Sequence, residues 1–209
     1  MIQRLITVSI FTLSLVLSSK SSWAVSGDSC DLKQITQVLN SQQPLHQFSQ
    51  EKHIKVLAKP LKSSGYLLLA GNDAVVWQTL KPIKSTTVIN ESAFKQFNKN
   101  DQPVSMPANA DTQTSQLISS TFLAILSGNL NDLHANFDLV AVCDQTSWDI
   151  SLTPTHPRIQ RLIKHIQIDG SAHIEHLSFS EANDDTTKLL ITPVSEPSIQ
   201  KQLGSYLVD

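Results

Sequence analysis

The chain has 209 residues, with 16 Lys+Arg against 18 Asp+Glu and a formal net charge of −2. Its arginines are Arg4, Arg158 and Arg161, so it lacks the basic surface that a phosphate backbone demands, and nucleic acid is excluded as a partner. The length suits one domain with a sizeable core.

The chain opens with one positive charge, Arg4, before an apolar run from Leu5 to Leu17. Ser22-Trp23-Ala24 follows, with small residues at the −3 and −1 positions of a cleavage after Ala24. This is the pattern of a secretory signal peptide. The run is too short and too rich in hydroxyls to span a bilayer. The expected organisation is a signal over residues 1–24 and a single domain over 25–209, exported to the periplasm. Cys30 follows Ser26-Gly27-Asp28-Ser29, a polar context unlike that of a lipid-modified cysteine. Export permits a disulfide, and Cys30 and Cys143 allow only one intramolecular pairing.

Residues 31–43 read as a helix, with Leu32, Ile35, Val38 and Leu39 on one stripe, Ser29 or Asp31 as cap and Pro44 as terminator. From Phe48 the chain reads as extended, up to the break at Pro60. Residues 65–70 and 74–79 form two strands around the turn Gly71-Asn72-Asp73, and residues 85–89 form a fourth. Residues 91–98 suggest a short helix, and the polar stretch 99–116 a mobile loop. Leu117, Ile118, Phe122, Ile125 and Leu126 make an apolar helical stripe that Gly128 stops, and residues 130–135 add one more turn. Strands return at 137–142, 148–153, 162–169, 174–179 and 188–192, with Gly170 as a turn. The tail, 198–209, reads as short and frayed. The pattern is α+β: an antiparallel sheet with helices segregated to one side, able to bend around an apolar interior that the helices cover as a lid.

Several of these segments carry a family resemblance. They include Phe48-x-Gln50, Pro60-Leu61-Lys62-Ser63-Ser64-Gly65 and Val76-Trp77-x-Thr79-x-x-Pro82 in the front half. In the back half they are Trp148-x-Ile150-x-Leu152-x-Pro154, Ile166-x-Ile168-x-Gly170, Leu177-x-Phe179-x-Glu181, Asp185-x-Thr187 and Leu190-Ile191-Thr192-Pro193. In order and spacing the chain resembles the LolA-like outer-membrane lipoprotein carriers from about residue 31 to about residue 195. The resemblance implies an incomplete, half-open antiparallel β-barrel with a helical lid and a hydrophobic cavity for acyl chains. It implies a non-enzymatic periplasmic carrier of acylated lipoprotein or lipid cargo, without a cofactor. Such a carrier acts as a monomer between an inner-membrane exporter and an outer-membrane acceptor. Lipoprotein carriers proper have an arginine immediately before the tryptophan of the third strand, where it bonds to the lid. Here that position is Val76, which implies a different gate and admits another lipid as cargo. Candidate lining residues are Phe48, Leu68, Trp77, Phe122, Leu126, Ile150, Ile166 and Phe179. A one-residue slip would reverse the face of any strand among them.

Sharper chemistry is poorly supported. His173-x-x-His176 has the closest histidine spacing, with His165 one strand earlier. Strand residues three apart point to opposite faces and share no metal without a bulge, so no metal site is expected. No Gly-x-Ser-x-Gly turn presents a nucleophilic serine, and no glycine-rich loop cradles phosphate. Two alternatives to the carrier stay open. A partner-binding accessory protein would have a cavity filled by large side chains, and a lipid-acting enzyme would have an inward Ser–His pair.

Overall fold

The computed structural model describes residues 31–91, 94–104 and 112–208. The signal segment 1–24 and Cys30 lie outside them. The first helix, α1 (Leu32–Asn40), starts where Asp31 Oδ1 accepts the Lys33 amide at 2.9 Å. This supplies one of the partners that the first turn of a helix lacks. Its buried side is Ile35 and Leu39.

Among the described residues eleven strands follow: β1 (Leu45–His53), β2 (Leu61–Ala70), β3 (Ala74–Lys81), β4 (Ser85–Asn90), β5 (Phe94–Phe97), β6 (Pro103–Val104), β7 (Phe137–Cys143), β8 (Trp148–Pro154), β9 (Ile163–Gly170), β10 (Ile174–Glu181) and β11 (Thr186–Pro193). They form one sheet in the order β6-β5-β4-β3-β2-β1-β11-β10-β9-β8-β7, with every pairing antiparallel. Two meanders, β1–β6 and β7–β11, are joined along one seam where Phe48 of β1 faces Ile191 of β11. The sheet is open, with β6 and β7 as its edges.

Alternation sends Phe48, Leu67, Val75, Ile89, Ile150, Ile166, Ile168, Leu177, Leu189 and Ile191 into one core. Helix α2 (Thr112–Ser127) lies over that face, contributing Leu123, Ala124, Ile125 and Leu126. Ser119 Oγ donates to the Asn90 carbonyl at 2.6 Å and ties the helix to the end of β4. Gly128 ends α2 with φ +81, and a Cβ there would stand 2.6 Å from Leu39 Cβ. Only glycine allows α1 and the end of α2 to pass so closely. A 3₁₀ turn, Leu130–Ala135, then buries Leu130 and Leu133.

A second, smaller core lies on the opposite face. Leu45, Leu68, Val76 and Val88 pack there beneath Leu203 of α4 (Pro197–Gly204). The following 3₁₀ turn, Ser205–Leu207, sets Tyr206 against Phe97 with ring centroids 5.2 Å apart. Buried Gln78 Nε2 donates to Thr86 Oγ1 at 3.0 Å, so this layer's inner amide is not left without an acceptor.

Four expectations are corrected here. Residues 94–97 of the expected helix 91–98 form strand β5, because they pair with Thr86–Ile89 and place Phe94 and Phe97 on opposite faces. The expected loop 99–116 contains strand β6 and the first turn of α2; its residues 105–111 lie outside the described residues. The tail is a docked helix, because Leu203 is wholly buried. The helices therefore cover both faces of the sheet rather than one. A short helix that the sequence reading did not contain, α3 (Pro157–Gln160), follows β8, with His156 Nδ1 accepting the Arg158 amide at 3.2 Å.

Candidate functional site

Among the described residues, the inner face opens where α2 leaves β3–β5. There an apolar cleft of about 230 Å³ is lined by Trp77, Thr79, Thr87, Ile89, Phe94, Phe122 and Phe179. Alternation accounts for the strand contribution. Residues 77 and 79 share a face of β3, and residues 87 and 89 share a face of β4, with Trp77 opposite Thr87 in register. Phe122 reaches down from α2 and meets Phe179 of β10 edge to face, with centroids 5.8 Å apart and planes at 86°. Phe48 of β1 supports Trp77 from behind at 5.1 Å. Among the described residues no charged side chain lines this cleft, and its polar side-chain atoms are the hydroxyls of Thr79 and Thr87 and the Trp77 indole N–H. Such a surface binds by exclusion of water, without directional demands on its ligand. A neighbouring pocket of about 290 Å³ sets Leu123, Ala124 and Leu133 beside the carboxylates Glu91 and Asp132, and burying those charges against an acyl chain would be costly.

Residues 40–203 match the family described as outer membrane lipoprotein carrier protein LolA. The chain belongs to the LolA family. No curated protein matches it. Solved structures of low similarity include a LolA superfamily protein from Nitrosomonas europaea (8% identity, TM-score 0.43, covering 80% of this chain and 94% of that one). Another is the MucA/MucB complex of Pseudomonas aeruginosa (12%, 0.41, 82% and 58%). A third is a DUF1329 family protein from Desulfovibrio piger (8%, 0.38, 77% and 88%). Family membership rests on the sequence match.

Within this LolA-family sheet the eight residues nominated from sequence separate into three groups. Trp77, Phe122 and Phe179 line the cleft. Phe48, Leu126, Ile150 and Ile166 lie in the core on the same side of the sheet, at most 2% exposed. Leu68 is a correction. It lies on the other face, under Leu203, while its neighbour Leu67 faces the main core. Thr79, Thr87, Ile89 and Phe94 complete the lining beyond the residues expected from the sequence. Stepping by two from Trp77 finds Thr79, and the register of β4 against β3 finds Thr87 and Ile89. Phe94 was hidden by the helical reading of its segment.

Val76, the position where LolA carriers proper are expected to place an arginine, is fully buried on the α4 side of the sheet. A side chain there meets the C-terminal helix and not α2. The β3 side chains that belong to the core beneath α2 are Val75 and Trp77.

The polar side chains singled out from sequence do not converge. His173 turns toward His46, with ring centroids 6.2 Å apart, whereas His176 Nδ1 stands 2.7 Å from Asp169 Oδ1. A bulge does interrupt β10 between Ile174 and His176, but it leaves the two histidines with separate partners. Among the described residues no three metal-ligating side chains cluster. His46 is 2% exposed, and among the described residues its Nε2 has no hydrogen-bond partner. Burial, and then the nearby His173, lower its pKa to about 4. Ser151 Oγ lies 3.5 Å from His165 Nε2, but that nitrogen is also 3.0 Å from Gln167 Oε1. Ser151 alternates with buried Ile150 and Leu152 and so faces away from the cleft. The inward Ser–His pair that an enzyme reading requires is not formed by these residues. There is no free cysteine among the described residues, and Cys30, the expected partner of Cys143, lies outside them. No helix among the described residues is long and apolar enough to cross a membrane.

Proposed function

We propose that this chain is a periplasmic carrier that takes an acyl chain of lipid-modified cargo into the cleft beneath α2 and ferries it toward the outer membrane. The observation that carries the reading is the uncharged, aromatic-lined cleft of a LolA-family sheet, closed on one side by a helix. A sixteen-carbon chain exposes roughly 12 kcal/mol of hydrophobic free energy at ~0.8 per methylene, so it does not cross water unaided. The cleft's 230 Å³ is smaller than the roughly 300–1,000 Å³ typical of ligand pockets. Loading therefore requires α2 to lift, with cargo replacing the contacts that Phe122 makes with Phe179. Residues 1–24 serve as the export signal. A Cys30–Cys143 disulfide holds the start of the mature chain to the end of β7. An inner-membrane exporter and an outer-membrane acceptor are the partners, the monomer is the working unit, and no catalysis is involved.

The filled interior around Phe48, Ile150 and Ile166 favours a second reading, an accessory protein of a lipid export pathway that binds a partner and no ligand of its own. Native mass spectrometry of the mature protein from the periplasm, with solvent extraction and a fluorescent acyl probe, separates the two. A bound acylated molecule or saturable probe binding supports carriage. A clean apoprotein that ignores the probe overturns it in favour of the accessory reading.

A further inference from the structure

One end of the sheet presents apolar side chains interleaved with lysines. The connection between β1 and β2, residues 54–60, and that between β3 and β4, residues 82–84, emerge at the same end, because Ser64 of β2 lies opposite Lys81 of β3. Val56 is 87% exposed and Ile83 68%, and Leu57, Leu61 and Leu80 beside them are also exposed. Residues 54–62 and 80–84 contain Lys55, Lys59, Lys62, Lys81 and Lys84 and no carboxylate. Neighbouring elements supply counter-charge, including Glu181, which pairs with Lys52, and Asp185, whose Oδ1 accepts the Lys55 amide. Lys55 pairs with Asp184 at 2.9 Å, Lys62 with Glu51 at 2.6 Å and Lys84 with Asp101 at 2.7 Å. Lys59 and Lys81 take no part in these pairs. All three pairs are solvent-accessible, so their lysines exchange partners at little cost.

We propose that this end is a rim that docks on an anionic phospholipid surface. Two observations select a bilayer over a folded partner. First, the apolar groups are tips of separate hairpins, each flanked by lysines, rather than one flat patch. That arrangement seats single side chains among acyl chains while ammonium groups reach phosphates. Second, two of the cleft's lining residues stand near this end of their strands. Thr79 stands two residues before Lys81, and Phe179 two residues before Glu181, whose strand β9 partner is Ile163. An acyl chain leaving the cleft past Thr79 and Phe179 emerges beside the tips. The rim extends the carrier reading by naming where cargo meets lipid, but it is tested without cargo.

The test is co-sedimentation of the mature protein with phosphatidylethanolamine–phosphatidylglycerol vesicles and with phosphatidylcholine vesicles. Acyl-probe binding is measured in parallel. The wild type is expected to bind the anionic vesicles, with binding weakened by salt. Val56→Ser with Ile83→Ser should lower the partition roughly tenfold, as expected for removing two apolar anchors. Lys59→Gln with Lys81→Gln should lose the preference for anionic lipid, and both variants should retain the wild-type melting temperature and probe affinity. Absence of vesicle binding by the wild type overturns the proposal, as does full binding by the Val56/Ile83 variant. Vesicle binding by a protein that ignores the probe supports the rim and overturns the carrier reading.

Discussion

Replacing Phe122 by alanine distinguishes a lid side chain from ordinary core. Phe122 is half-buried, and its ring meets Phe179 edge to face across the cleft. A wholly buried phenylalanine costs about 3–5 kcal/mol on truncation, because the lost transfer energy is joined by a cavity term. Here one side of the ring already borders open space, so the new volume merges with the cleft and the cavity term largely disappears. The aromatic pair itself is worth about 0.5–1.5 kcal/mol. The expected loss is therefore about 1–2 kcal/mol, well below the core value. The space vacated enlarges the cleft without the lid having to lift, so a fluorescent acyl probe should bind at least as tightly as to wild type. Urea unfolding followed by tryptophan fluorescence gives the first quantity and probe titration the second. A loss above about 3 kcal/mol, with the melting transition broadened and probe binding abolished, would show that Phe122 is core and refute the lid argument.

Three further outcomes follow from residues elsewhere. His46 holds its folded pKa near 4 against an ordinary 6.5, so the unfolded chain takes up this proton first as pH falls. The associated stability is complete above about pH 6.5 and is lost as pH drops through 4, up to about 3 kcal/mol. His46→Leu should flatten that slope in urea titrations at several pH values, and an unchanged slope refutes the assignment. Gly65→Ala would place a Cβ 1.9 Å from the Gln78 carbonyl oxygen. The β2–β3 backbone must then shift, at a cost of about 1–3 kcal/mol or more, with a change in Trp77 emission as its local sign. Leu203→Ala should cost about 2–5 kcal/mol by emptying the centre of the second core while leaving probe affinity unchanged, because α4 and the cleft lie on opposite faces of the sheet.

Much of the sheet was legible because its turns and alternation are local. Gly71-Asn72-Asp73 marks a hairpin on sight, and Trp148, Ile150 and Leu152 alternate cleanly with exposed or half-exposed neighbours. Leu68 faces away from the expected side for a physical reason. The run Leu67-Leu68-Leu69 is apolar throughout because that part of the sheet is covered by helices on both sides, so no alternation remains to set parity. Phe94 and Phe97, three apart, imitate a helical stripe, yet they serve opposite faces of a four-residue strand. The tail was the reverse case. Ile199, Leu203 and Leu207 fall at helical spacing and all join the second core, but their polar setting concealed it. Three of the cleft residues were legible as large aromatics, whereas its threonines became visible only once β3 and β4 were in register.

The seam between β1 and β11 has a kinetic consequence. Every other strand pairing joins neighbours along the chain, so each meander can form from short loops with little closure entropy. Phe48 and Ile191, by contrast, meet only when the first and last parts of the chain find each other. Contacts of such high sequence separation slow folding more than they raise stability. The two halves should therefore assemble quickly and wait on that one zipper, with Phe48 and Ile191 the last to pair.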